Sequence, residues 1–569
     1  MSQKSEFLFA DMKDLLRECT SFHEKYSDQA VTERVQKNRF SLSGYVEAFH
    51  KKCGTLNFGV QRKIHELRKG TGIVLMTAHQ PNLFAYNGIM RKATLSFVLA
   101  KKLEKTLGVP TVSLFGVADQ DFTDDRWVKS AALPDVERRN GVLELRLDLP
   151  EKLLLNHAAK PSERVLTTWK KDLEDWLENG INLVRRTGSD LGLNLGCVSR
   201  LKDNFGDFWG VVDDACENAE NFSDFNAFVM SKIVNEVWGY DTLFARFSDC
   251  QQIFEHEFGF LLSHFEEYSG YVKDAIADAV ASVRGVSEDE HNIVPFWYNC
   301  DCGSKARLSV ERNGGAILGH GNCLRCGREY RIDFGSTRNP EIAGLLPRIS
   351  ARSLSMPLVF FDGLNVCCYV GGVGGQEYLR QAKHVAENLG IPFPPVAIWR
   401  PRDLYLGIAQ LGACLTFRRL SGSLDFRHYD EIKTKLKEEI AHVDRDIEEL
   451  EVEKNALKGS VTEEGEEAIA RIRVLSAKQN QIRKERRYSL LSRNLALLHN
   501  VLNVMKLYPS IIDCAVNVGL RATSDQWINH LENNGSLLDE VHLKTVLGDF
   551  SEASDQSFQC LKSFSDFEE

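Results

Sequence analysis

GIVLMTAHQPNLF, residues 72–84, is an apolar run that ends in polar residues and a proline. A parallel strand buried on both faces has this form as it enters its loop, because neither face needs polar residues until the chain leaves the sheet. RKATLSFVLAKKLEK (91–105) follows, with apolar residues on one side and lysines on the other, and predicts a helix from about Ile89 to Leu107. VPTVSLFGVADQDF (109–122) repeats the scheme, a second apolar strand closing on Asp119, Gln120 and Asp121. Strand, helix and strand with polar residues at both carboxyl ends predict an α/β protein with a doubly wound parallel sheet, whose ligand crevice lies outside those ends.

The pattern returns in SMPLVFFDGLNVCCYVGGVGGQEYLRQAKHVAENLGIPFPPVAIWRP (355–401), read as two apolar strands leading to a glycine-rich turn, a helix and, after Pro-Phe-Pro-Pro, another strand. The expected architecture is a Rossmann-type core in two halves, 71–162 and 336–427. It is split by a helical insertion over 163–294, with segments such as TTWKKDLEDWLENGINLV, and a cysteine module over 295–335. Residues 1–70 read as an N-terminal helical segment. Over 428–507, apolar residues at Ile432, Leu436, Ile440, Val443, Ile447, Leu450 and Leu457 are spaced by three, four and seven, the seam of a coiled coil. GSVTEEGEE (459–467) is expected to break this helix, and a second from about Ala468 carries Ile472, Leu475, Ile482 and Leu491, which predicts an antiparallel hairpin. Its acidic and basic residues balance, which suits a packing or dimerisation arm. Residues 508–569 form a C-terminal segment whose closing SEASDQSFQCLKSFSDFEE is expected to fray.

The chain of 569 residues exceeds one ordinary domain of ~100–200 residues. A formal charge of -10 gives no broad positive field for a polyanion, so nucleic acid is not the expected partner. No run approaches the ~18 apolar residues of a membrane helix, and the amino terminus lacks a basic segment followed by an apolar one, which points to the cytoplasm. The 14 cysteines are scattered apart from one group.

That group is YNCDCGSKARL (298–308) with GHGNCLRCGREY (319–330). Cys300 and Cys302 form one pair, Cys323 and Cys326 the other, and glycines follow each pair where a knuckle turn needs them. Four thiolates so spaced predict a closed structural zinc site, with no ligand position left for His320 or for catalysis. Three further clusters lie at expected strand ends. His79 and Gln80, followed by Asn82, Asn87 and Lys92, offer donors and a cation to an anionic or polar ligand. Asp119, Gln120 and Asp121 offer carboxylates that can bind an ammonium group, act as a base, or hold magnesium. Gly371, Gly372, Gly374 and Gly375 let backbone amides approach an anion before a helix begins. The first two clusters have ordinary alternatives, a satisfied structural histidine and a solvated acidic loop, and the glycine loop gains its weight from following an apolar strand of the expected core.

Together these segments resemble the BshC family, the cysteine ligases of bacillithiol synthesis. The family's T-G-Q-Q-P-G-L is similar to TAHQPNL (77–83), its E-D-H-D-F to ADQDF (118–122), and its Y-V-G-G-P-G-E-x-A-Y to YVGGVGGQEY (369–378), followed by a matching GIPFPPV (390–396). The resemblance covers the core and stalk, and only loosely the region from Arg126 to Leu346. It implies a core like that of class I aminoacyl-tRNA synthetases, a homodimer through the coiled coil, and amide formation between cysteine and glucosaminyl-malate, with ATP and Mg2+ as candidate activators. It implies that Asp119 and Asp121 orient and deprotonate the amine, while His79, Gln80 and the glycine loop hold the carboxylate and any phosphates. His79, Asn82, Ala118, Gln120 and Val373 depart from the family's residues, and the zinc ribbon is foreign to it. The expectation is therefore a divergent BshC-like ligase. The competing expectations are an adenylate-forming ligase or aminoacyl transferase with another small amine, and a non-catalytic nucleotide- or sugar-binding protein. HQPNLFAYNG (79–88) is also similar to a stretch of the WbqC-like proteins.

Overall fold

A computed structural model describes residues 7–27, 32–187, 196–277, 291–313, 316–400, 402–484 and 486–548. The closing segment 551–569, expected to fray, lies outside them. At the centre is a five-stranded parallel sheet of β1 (Ile73–His79), β2 (Thr111–Val117), β3 (Leu243–Arg246), β4 (Val366–Gly371) and β5 (Val396–Ile398), in the order β5-β4-β1-β2-β3. The side chains alternate between two cores. Ile73, Leu75, Phe115, Val117 and Phe244 enter one, while Val74, Met76, Ala78, Val112, Leu114 and Leu243 enter the other. Period two with both faces covered is why these strands read as unbroken apolar runs.

Helix α1 (Asn87–Leu107) follows β1 and ends on Gly108 in the left-handed conformation. Its starting face carries Asn87, Arg91 and Lys92, all buried. Between β2 and β3 lie helices Glu163–Thr187, Cys197–Asn218 and Phe222–Lys232, with Leu173, Trp176, Leu201, Phe208 and Phe225 in the first core. Ahead of β1, Arg39 is buried and donates to the carbonyls of Gly70, Gly72, Leu364 and Asn365, tying the N-terminal helices to the entrances of β1 and β4.

Two expectations need correction. Residues 163–294 are not wholly a helical insertion, since β3 inside them pairs with β2 from Leu114↔Leu243 to Val117↔Arg246. Four residues are too few for a period to emerge from flanking helices. The first apolar run of 355–401 is a helix, α2 (Ser355–Leu364), not a strand; Pro357 sits in its first turn and Asn365 at φ 46 closes it. The run is apolar all round because α2 is buried.

The cysteine module contains a four-stranded antiparallel sheet, with Ser309–Asn313, Ala316–Asn322 and Glu329–Ser336 as its main strands. A three-stranded sheet joins Phe296–Cys300 and Ser304–Ala306 to Ile349–Ala351. Beyond the core, helix continues from Tyr429 to Lys484 with one non-helical residue, Gly465 at φ 55 and ψ -126, so the chain turns at this one position inside the expected 459–467. Contacts of Glu453 with Arg471, Ile447 with Gln479 and Asp444 with Tyr488 run in opposite senses, so the two helical stretches are antiparallel. The described C-terminal segment packs on the first core through Ile512, Trp527 and Leu531. No described helix is long and apolar enough to cross a membrane.

Candidate active site

The strands end along one edge: His79 is level with Val117, Val117 with Arg246, and Gly371 with Ile398. β1 and β4 are neighbours at the middle, the chain running outward from β1 through β2 to β3 on one side and from β4 to β5 on the other. Loops leaving such a point diverge, and the crevice between them is where open parallel sheets bind ligands.

His79 closes β1, its Nδ1 3.1 Å from the Gln80 carbonyl and its ring edge-on to Tyr86. A carbonyl only accepts, so Nδ1 carries the proton and Nε2 remains an acceptor. Burial, with the charge of Lys92 beside it, pushes the imidazole down to about 3, so it is neutral at physiological pH. Lys92 reaches back from α1 and donates to the Ala78 carbonyl at 3.3 Å, and burial pushes it down to about 8.

The glycine loop meets this ammonium. A Cβ on Gly372 would lie 3.2 Å from Lys92 Cε and 3.3 Å from Nζ, so a bare backbone is what admits the lysine. Gly371 is buried in β4, a Cβ on Gly374 would meet nothing within 4 Å, and one on Gly375 would meet Tyr378 at 2.9 Å. None of the four takes a left-handed φ. Helix α3 (Gln376–Asn388) begins directly after them.

The turn after β2 divides its two carboxylates. Asp121 is half-exposed, accepts from Gln80 Nε2 at 2.9 Å and lies 3.9 Å from Lys305 Nζ. Asp119 is fully buried and accepts from the Ser248 amide at 3.0 Å, the Ser248 hydroxyl at 2.5 Å and Ser223 at 3.4 Å. Burial raises Asp119 to about 6, against the pull of these donors and Arg246. Ser248 also lines a separate cavity of about 400 Å3 with Lys52, Asp224, Arg246 and Asp249. Gln120 contributes its carbonyl, which accepts from Lys305 at 2.7 Å.

The structure thus brings His79, Lys92 and Gly372 together and joins Gln80, next to His79, to Asp121. Asn87 instead donates to Asp403, as do Arg91 and Trp527. Asn82 is buried with its Oδ1 lacking a protein partner, as are Arg91 Nε and Trp399 Nε1 beside the end of β5, and Arg91 stacks over Trp399. Sequence reasoning missed Lys305, Arg91 and Trp399, whose contacts are long-range. It also missed Tyr369 and Tyr378, which bond to each other beside Asp121. Their hydroxyls flank the glycine run and were legible there.

The Sγ atoms of Cys300, Cys302, Cys323 and Cys326 all lie within 4.8 Å of one another, with 3.6 Å between Cys300 and Cys326 and 3.5 Å between Cys302 and Cys323. Metal–sulfur bonds of ~2.3 Å at tetrahedral angles give edges of ~3.8 Å, so this donor set can hold one metal ion.

No protein-family model matches the chain. Over 380 residues, 66% of this chain and 64% of the relative, which is less than two thirds of that relative's length, the chain is 20% identical and so similar to the "Putative cysteine ligase BshC" of Oceanobacillus iheyensis.

Proposed function

We propose that this chain is a BshC-like ligase. It joins the carboxylate of an amino acid, cysteine in that family, to the amine of an amino-sugar conjugate such as glucosaminyl-malate, in the synthesis of a low-molecular-weight thiol. The observation that carries this reading is the convergence of a neutral imidazole, a buried ammonium and a half-exposed carboxylate where β1, β2 and β4 end. The strand order supports a Rossmann-type core split by insertions, and the similarity to BshC supports a ligase.

A free carboxylate is a poor electrophile; ATP with Mg2+ would activate it as an acyl adenylate or acyl phosphate, and AMP or phosphate would leave with the broken C–O bond as the amide forms. Lys92 and the start of α3 hold the anionic group. Asp121, oriented by Gln80, accepts the proton of the attacking amine, and His79 Nε2 accepts a second amine hydrogen. Asp119 holds the ends of β2 and β3 together through Ser248. The all-thiolate site holds structural Zn2+, the helical hairpin pairs two subunits as a coiled coil, and the protein works in the cytoplasm.

The test is mass spectrometry of purified protein incubated with ATP, magnesium, cysteine and glucosaminyl-malate, beside Asp121→Asn. A product heavier by one cysteinyl residue, lost in the variant, supports the ligase and its site. No product with any common amino acid refutes it in favour of another acceptor or a binding protein.

A further inference from the structure

The metal module touches the crevice turn at two places. Gly303, next to Cys302, has φ 79 and its carbonyl accepts from Leu154 N–H at 2.8 Å; a Cβ there would press on Leu153 and His157 at 3.0–3.1 Å. Leu154 in turn bridges Phe122, and the Leu155 amide donates to the Asp121 carbonyl at 3.0 Å. Lys305 is the second contact. It is 3% exposed, donates to the Gln120 carbonyl at 2.7 Å, and its ammonium lies 4.6 Å from the Phe122 ring centroid and 4.7 Å from that of Trp297.

The backbone of Lys305 is fixed from both knuckles. Ser304 pairs with Cys300, Ala306 bridges Cys323, and the Lys305 carbonyl accepts from Leu324 N–H at 3.1 Å. Every one of these neighbours carries, or is bonded next to, a thiol of the metal site.

We propose that the ribbon is a working part of the crevice: metal bound by Cys300, Cys302, Cys323 and Cys326 fixes Lys305, and Lys305 is a positioning residue that sets the Asp119–Phe122 turn and, through Asp121, the side chain of Gln80. Loss of the metal slackens the site from outside the core, loosening Asp121 and Gln80 while leaving every residue that faces substrate chemically intact. The functional meaning rests on the crevice being the substrate site, whereas the coupling itself is measured without substrate, so failure of the ligase reading and failure of this one are separable.

The experiment is hydrogen exchange by mass spectrometry on the full chain, loaded with zinc or stripped by a chelator. Stripping is expected to speed exchange in 296–336 and also about tenfold in 117–123, with the hairpin at 440–456 unchanged. Lys305→Met with zinc bound is expected to speed 117–123 alone, and Lys305→Arg to restore much of the protection. Faster exchange confined to 296–336 on stripping overturns the proposal, as does a Lys305→Met protein whose 117–123 segment is as protected as the wild type. Should Lys305→Met fail to fold, stripped against loaded wild type still decides it.

Discussion

The side-chain amide of Gln80 donates to the Asp121 carboxylate at 2.9 Å, joining the loops that leave two adjacent parallel strands. Asp121 is 47% exposed at its side chain, and when it is replaced the buried ammonium of Lys305, 3.9 Å away, keeps its bond to the Gln120 carbonyl. Asp121→Asn is expected to fold with an unchanged melting temperature and to lower product formation about 100-fold, the effect of losing a general base. Gln80→Leu, which frees the carboxylate to rotate, is expected to cost about tenfold. Steady-state rates beside melting curves check both.

Asp119 behaves in the opposite way. Asp119→Ala takes the acceptor from the amide and hydroxyl of half-buried Ser248 and is expected to cost about 1–3 kcal/mol of stability. Burial raises this carboxyl to about 6, so between about pH 4 and about pH 6 the folded chain holds more protons here than the unfolded chain. Its contribution is therefore largest in acid and falls as pH rises through that window. Denaturation of wild type and Asp119→Asn across pH 4–7 should give a difference that shrinks with rising pH; a growing difference would mean that Ser248 and Arg246 dominate over burial.

For Lys92 the sign reverses. Burial lowers it from 10.5 to about 8, so above about pH 8 the folded chain holds fewer protons than the unfolded chain and gains stability as pH rises, losing it as pH falls through 8. Wild type should gain on Lys92→Met between about pH 8 and about pH 10. Gly372→Ala crowds the last carbon and the ammonium of Lys92, so its cost should shrink in a Lys92→Ala background, which removes both atoms, a non-additivity read by a double-mutant cycle.

Arg39 satisfies four main-chain carbonyls from inside the protein. Arg39→Ala is expected to lower stability by about 3–5 kcal/mol. Arg39→Lys should recover little, because an ammonium cannot reproduce the fork of a guanidinium. Urea titrations of the three proteins check this.

Strands β1, β2 and β4 and helix α1 were legible in the sequence because each is long enough for an uninterrupted apolar run or a helical face. The four cysteines were legible because a knuckle is local: both halves of each pair lie within four residues. β3 was not, since Leu243–Arg246 pairs with residues of β2 that lie 129 positions earlier and has no turn signal of its own. The same limit hid Lys305, which lies two residues past the knuckle glycine Gly303 but whose partner Gln120 is 185 residues distant. Asp119 and Asp121 looked equivalent as residues two apart at a strand end; only tertiary packing turns one inward to Ser248 and the other toward Gln80.

Thr77 in β1 donates its hydroxyl to the carbonyl of Val370 in β4, across 293 residues of chain. At a synthesis rate of roughly 5–20 residues per second, β1 leaves the ribosome roughly 15–60 s before the strand that covers its second edge. During that interval the unpaired edge of β1 is open to other chains, and the glycine loop that admits Lys92 does not yet exist. The crevice is thus among the last features of the core to be made, and a nascent chain arrested before Val370 would carry the ribbon and most of the helices but no place for a ligand.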